Sequence, residues 1–219
     1  MNGVVLFGVR SPLVTEFEES CDRAGISVIA GVSVSGAPRM AGAAPVVALD
    51  EVGNRLGGEG YLACAFSPRR RRALADQAEA SGLRPAPALI DPTVILAKTS
   101  RIDEGSFINA ACVIGSVAFV GMNVLMNRSA SLGHHSVLED DVSIGPGAIM
   151  AGNVRVGRGS MIGAGATILP DIRIGCDCVV AAGSVVNRNV PDGTFVAGNP
   201  AKPRPFDWGR TSLAVADGE

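Results

Sequence analysis

From Ile90 to Val186 every sixth residue is aliphatic: Ile90, Leu96, Ile102, Ile108, Ile114, Val120, Met126, Leu132, Leu138, Ile144, Met150, Val156, Ile162, Ile168, Ile174, Val180, Val186. A spacing of six matches neither the 3.6 period of an amphipathic helix nor the alternation of a half-buried strand. Sustained over about a hundred residues, it marks a repeat architecture whose units bury their apolar faces only against neighbouring units. Two residues before the aliphatic stands something small, as at Ser106, Cys112, Ala118, Ala130, Ser136, Ala148 and Ala166. One residue after it glycine is frequent, as at Gly115, Gly121, Gly133, Gly145, Gly157, Gly163 and Gly175. The pattern predicts short strands meeting at tight corners, with the aliphatic inside, the small residue beside it and glycine permitting the turn. Three hexads then close a triangular coil of about eighteen residues, stacked on the next at about 4.8 Å. The span from about 88 to 190 gives about five to six coils of a parallel β-helix.

Residues 1–87 follow another pattern. GVVLFGV reads as a buried strand, and RSPLVTEFEESCDRAG as a helix with a Ser-Pro start and a closing Gly25. ISVIAGVSV is a second strand, PVVALDEV a strand or strand edge leading into a turn, and YLACAF another strand. SPRRRRALADQAEASG is a helix with Ser67 as N-cap and Pro68 at its first position. Alternating strands and helices predict a small α/β domain with a parallel sheet, and the boundary falls near RPAPAL. The predicted domains are 1–87, 88–203 and a tail at 204–219.

Bulk properties narrow the function classes. Of 219 residues 47% are hydrophobic and 18% charged, yet no apolar run reaches the about eighteen residues that span a bilayer. The net charge of −2 gives no electrostatic reason for a nucleic-acid or membrane partner. Five cysteines in no disulfide or zinc spacing fit a reducing, cytoplasmic setting. MNGVVLFGVRSP lacks a basic leader region and reads as a first strand.

The chain has two histidines, His134 and His135, adjacent in ASLGHHSVLEDD. Following inward Leu132 and Gly133, they fall at a corner and point outward. One coil of eighteen further on stand Gly152 and Asn153, so the pair stacks on the GN of MAGNVRVG. A base beside an exposed backbone N–H is what acyl transfer from a thioester requires; the plain alternative is two surface histidines facing water. Arg69 to Arg72, in the first turn of their helix, either hold an anion with the free N–H groups or form a solvated face. Cys176 and Cys178 point in different directions and form no metal pair.

Several stretches resemble the bacterial sialic acid O-acetyltransferases and UDP-4-amino-sugar N-acetyltransferases. They are the N-terminal α/β segment, RRRRALADQAEASG, ALIDPTVILAKTSRIDEGSFI, LMNRSASLGHHSVLEDDVSIGPGAIMAGNVRVG and the closing MIGAGATILPDIRIGCDCVVAAGSVV with VPDGTFVAGNPAKP. The resemblance implies a small α/β Rossmann-like N-terminal domain followed by a left-handed parallel β-helix of hexapeptide repeats, a hand that periodicity alone does not give. It implies a homotrimer with acetyl-CoA as co-substrate, no metal, and a part in polysaccharide biosynthesis. By the same resemblance the catalytic group is His134 as general base, His135 where the family often carries a carboxylate, and the Gly152 amide as oxyanion donor. Asn127 contacts the acceptor, backbone at Gly152, Ala164 and Ala182 holds the pantetheine in a groove between subunits, and Lys202 approaches the CoA phosphates. Asn153 or Glu139 is expected to support the histidines. The family's glycine-rich turn after the first strand is reduced here to FGVRSPLV. Only Gly8 remains, with bulk at Val9, Arg10 and Ser11, so the acceptor diphosphate is expected to meet Arg10 or to be absent.

The expectation is an acetyl-CoA-dependent transferase acting on an amine or hydroxyl of a sugar, with a nucleotide-linked amino sugar as the expected acceptor. The alternatives are a non-catalytic or divergent β-helix binding protein, and a transferase for a non-nucleotide acceptor. A zinc hydrolyase on the same scaffold needs three imidazoles, which two adjacent histidines do not supply.

Overall fold

The buried run Val4–Phe7 sits in β1 (Gly3–Phe7), at the middle of a five-stranded sheet. The computed structural model describes residues 3–205, so the tail expected from 204 lies almost wholly outside the described residues. After β1 come α1 (Val14–Arg23), β2 (Ser27–Ser33), β3 (Val46–Ala48), α2 (Val52–Leu56), β4 (Gly60–Ala63), α3 (Pro68–Ala80) and β5 (Arg84–Pro85). All the pairings are parallel and the strand order is β3-β2-β1-β4-β5. Ser67 caps α3 as expected, accepting from the Arg70 amide. Helix α1 starts later than the Ser-Pro signal implies. Ser11 instead accepts from Val14 through its carbonyl and from Leu13 through its hydroxyl, forming a turn ahead of the helix.

From Leu89 onward two-residue strands pair in parallel with the strands eighteen residues away, as Ile114 with Leu132 and Leu132 with Met150. They form three sheets. The first face runs from Ile95–Leu96 to Val185–Val186, the second from Arg101–Ile102 to Arg173–Ile174, and the third from Leu89–Ile90 to Phe195–Gly198. A final strand, Ala201–Pro203, closes the third face in antiparallel fashion. We name each corner for the face it follows. The aliphatic and small columns both point inward and form one core from Ile108 to Val196. Each fully buried aliphatic contributes about 2 kcal/mol.

The corners work differently from the expectation. The residue three places after the aliphatic carries the left-handed backbone, at fourteen successive hexads from Gly105 (φ 72°) to Gly183 (φ 68°), among them His135 (φ 59°) and Asn153 (φ 58°). The glycines one place after the aliphatic have no positive φ. They serve close approach: a Cβ on Gly133 would lie 2.4 Å from the Ala151 carbonyl oxygen one coil on. Asn, Asp and His tolerate the left-handed position better than other side chains, whereas a β-branched residue such as Val117 (φ 60°) is strained there.

The N-terminal region grips the third face. Leu89, Phe107 and Leu125, outward from that face, are buried in a core shared with Val4, Leu6, Phe17 and Leu62, and Phe17 stacks on Phe107 at 4.1 Å. Arg71 fits neither reading of the arginine run, whereas Arg69 stays exposed. Arg71 is 1% exposed, with no ion-paired carboxylate among the described residues. Its guanidinium donates to the carbonyls of Ala65, Phe66, Asn123, Asp141 and Val142 and to the Ser143 hydroxyl. Burial lowers its pKa to about 10, and it pins α3 to the second corner. Arg72 pairs with the Asp141 carboxylate beside it at 2.8 Å. At the third corner, Asp91 accepts from Ser20, Arg23 and Thr93. Its burial favours the neutral acid, but those hydrogen bonds prevail and hold the carboxyl well below the usual carboxylate range.

Two outcomes follow from these contacts. Gly133→Ala should cost about 3 kcal/mol, because the backbone opposite cannot retreat, while Val117→Gly should raise stability by about 0.5 kcal/mol by relieving the left-handed strain. Denaturant titration of both variants checks the opposite signs. Asp91→Asn should lose about 2 kcal/mol at neutral pH. A depressed folded pKa stabilises above the unfolded value of about 3.9, and the benefit fades as pH falls below it. The gap between wild type and variant should therefore narrow steadily as pH falls below about 4.

Candidate active site

His134 and His135 follow the strand Ser131–Leu132 at the first corner, and both are exposed. Their Nδ1 atoms are 3.1 Å apart and the rings stand at 84°. The corner ladder holds the backbone: the Asn153 amide donates to the His134 carbonyl and the His135 amide to the Ser116 carbonyl. The His134 ring lies over Gly152, where a Cβ would meet Cε1 and Nε2 at 2.6 Å. Only glycine leaves the imidazole that place. The Gly152 N–H has no partner among the described residues. A base edge therefore sits beside an open backbone donor.

The expected helpers are engaged elsewhere. The Asn153 side chain donates to Asp171 at 2.7 Å, and Glu139 accepts from Arg155 and from the Arg158 amide. Neither bonds a histidine.

Of the remaining predicted residues, Ala164, Ala182 and Asn127 fall on the third corner. Ala164 and Ala182 stand one coil apart there, their N–H groups unpaired among the described residues. At the second corner the equivalent amides of Met122, Arg158 and Cys176 are taken by Asp140, Glu139 and Asp192. The amides of Ala110 and Arg128, also at the third corner, are taken by the side chains of Asn109 and Asn127, so Gly152, Ala164 and Ala182 are open by position and not by corner, a difference that sequence columns do not reveal. Asn127 Oδ1 accepts from Asn109 and from the Arg128 amide, while its Nδ2 hydrogens have no partner among the described residues. Glu16 of α1 joins this cluster through Asn109 and Arg128. Lys202 is exposed on the last strand of the third face.

The turn after β1 is closed, for another reason than side-chain bulk. Val9 is wholly buried in the core. The amides of Gly8 and Val9 both donate to the Val32 carbonyl, and the Val9 carbonyl accepts from Arg39. Arg10 alone reaches outward, beside Gly36. In one chain the first corner lies opposite the third face, which carries the N-terminal region. Gly8, Arg10 and Asn127 are therefore not brought to His134 within a single copy. A cavity of about 440 Å³ between α3 and the prism is lined by Ser67, Met161, Asp177 and two of the arginines of the run, Arg69 and Arg72, and by none of the residues predicted for acyl transfer.

Burial pushes the thiols up, to about 12 at Cys21 and about 11 at Cys112, and raises those of Cys64 and Cys178 too. Cys176 lies at the second corner, so no thiol adjoins the histidines. Among the described residues no group of three His, Cys, Asp or Glu side chains is placed to hold a metal, and no helix is long and apolar enough to cross a membrane.

A family model described as bacterial transferase hexapeptide (six repeats) matches residues 135–170 and 153–188. A mutant of perosamine N-acetyltransferase from Caulobacter crescentus, in complex with CoA and GDP-perosamine, superposes with a TM-score of 0.84 at 26% identity, covering 94% of this chain and 98% of that one. The chain belongs to the hexapeptide-repeat acyltransferase superfamily. The acetyltransferase domain of PglB from Neisseria gonorrhoeae FA1090, in complex with acetyl coenzyme A, matches this hexapeptide-repeat chain with a TM-score of 0.81 at 28% identity, covering 93% and 99%. WeeI from Acinetobacter baumannii AYE shares the fold, with a TM-score of 0.77 at 23% identity over 92% and 99%. A search of curated proteins finds no significant sequence match. The prism of this superfamily member is a left-handed β-helix, preceded by an α/β region, as the resemblance implies.

Proposed function

We propose that this chain transfers the acetyl group of acetyl-CoA to an amine or hydroxyl of a sugar, with nucleotide-linked amino sugars as the acceptor class. The observation that carries the reading is His134 lying over the open Gly152 amide. Two similar structures hold matching ligands: CoA with GDP-perosamine in the perosamine N-acetyltransferase, and acetyl coenzyme A in the PglB domain. In this mechanism His134 Nε2 takes a proton from the acceptor as its nitrogen or oxygen attacks the thioester carbonyl. The Gly152 N–H donates to the oxyanion. The C–S bond then breaks and the proton passes to the thiolate. Transfer is direct, since no thiol stands near the base.

The separation of the two corners supports a homotrimer. The first face presents an outward apolar row that one chain leaves uncovered, with Ile95 67%, Val113 39% and Ile149 49% exposed. If the first face turns toward a three-fold axis, the two corners that bound it meet across every interface. The first corner of one copy, with His134 and Gly152, then faces the third corner of the next. There the Ala164 and Ala182 amides line the pantetheine, Asn127 and Arg10 approach the acceptor, and Lys202 meets the CoA phosphates. A cytoplasmic setting and a place in polysaccharide biosynthesis complete the proposal.

The test is thiol release from acetyl-CoA against GDP-, UDP- and dTDP-linked amino sugars and free sialic acids. His134→Ala should lower turnover by about 10²–10⁴-fold while acetyl-CoA affinity stays within about twofold. Near-wild-type turnover in the variant excludes His134 as base. Acetyl-CoA bound with no release across the panel favours the binding-protein alternative.

A further inference from the structure

A general base must present a bare nitrogen, so something has to decide which nitrogen of His134 carries the proton. Among the described residues the only hydrogen bond made by either imidazole is the one between their Nδ1 atoms, at 3.1 Å. Two ring nitrogens at that distance share one proton, with one donating and the other accepting. The Nε2 edge of His134 lies over Gly152, where the reacting groups belong, so the proton of His134 sits on Nδ1. We propose that His135 is a positioning residue: its Nδ1 accepts the Nδ1–H of His134, its own proton lies on Nε2, and the two rings act as a charge-neutral dyad. This rests on the reading of His134 as base.

The proton count closes. As the acceptor N–H or O–H bond breaks, its proton joins His134 Nε2 and the ring becomes a cation. Its Nδ1–H···Nδ1 bond to neutral His135 is then charge-assisted and strengthens. When the thioester C–S bond breaks, the Nε2 proton leaves on the CoA sulfur and both rings return to their starting state. His135 neither gains nor loses a proton.

A neighbouring carboxylate would orient the ring equally well, but its fixed charge would favour the imidazolium and raise the pH at which the base loads with a proton. No such charge stacks directly on this pair. The coil beneath presents Ser116 and Val117, and the coil above Gly152 and Asn153. Lys98 lies one coil further down, and Asp171 one coil further up, bonded to Asn153. Position 135 has φ 59°, a conformation that Asn and Asp also accept, so substitutions there probe the hydrogen bond and not the backbone.

The experiment is ¹⁵N NMR of the histidine-labelled full chain, which holds two histidines, across a pH titration. At neutral pH the expected result is a protonated Nδ1 and bare Nε2 on His134, with the opposite tautomer on His135. His135→Asn, whose carbonyl oxygen accepts the same proton, should keep the His134 tautomer, and His135→Ala should lose it. A wild-type His134 protonated on Nε2, or a tautomer unaffected by His135→Ala, overturns the proposal. Because these readouts need no acceptor, failure of the dyad is distinguishable from failure of the transferase reading, which His134→Ala turnover decides.

Discussion

From Leu89 to Val186 the strands of the prism stack in parallel register on those eighteen positions away, and that register governs where chemistry is possible. It turns side chains into columns: an aliphatic column inside, a small column beside it, and at the corners a column of left-handed residues. Gly133 is forced by the approach of the Ala151 carbonyl, and Gly152 gives room to the ring of His134 in the coil beneath. The catalytic candidates are thus one corner in which the generic column has been specialised, the left-handed slot filled by His135 and the slot before it by His134.

The second constraint is the clamp on the third face. Arg71 is solvated by carbonyls from both the α/β region and the second corner, and Asp91 ties α1 to the third corner. With that face covered, the first face and its corner are left bare, opposite the α/β region. An acceptor held by the N-terminal region of one copy then has no route to the histidines of that same copy. This is the physical reason for proposing a shared site, and it draws the exposed apolar residues of the first face, the open Ala164 and Ala182 amides and the His134–Gly152 pair into one account.

Much of the fold is legible in the sequence because one column, Ile90 to Val186, obeys a single period. The α/β alternation before it is legible from Ser67-Pro68 and Gly25 for ordinary capping reasons. The short α2, the pairing of Arg84–Pro85 with β4, and the strand order depend on tertiary contacts that leave no local mark. The glycine frequency was visible, but its cause was not: spacing cannot separate a glycine needed for φ from one needed for clearance. Arg71 reads as a solvated cation because its ligands come from residues 123 and 141–143, far along the chain. The stacking of His134 on Gly152 follows from counting eighteen. That Asn153 and Glu139 are engaged elsewhere, and that the site residues divide between two corners, does not.

The most direct measurement is activity complementation between two variants that are each inactive alone. His134→Ala removes the base from the first corner, and Ala164→Trp fills the donor groove at the third. If sites form between copies, mixed trimers contain interfaces that pair an intact His134 with an intact Ala164. Co-expression should then restore acetyl-CoA-dependent thiol release to a substantial fraction of wild type. If each site lies within one chain, every site in the mixture carries a defect, and activity that stays at the level of the separate variants would contradict the account.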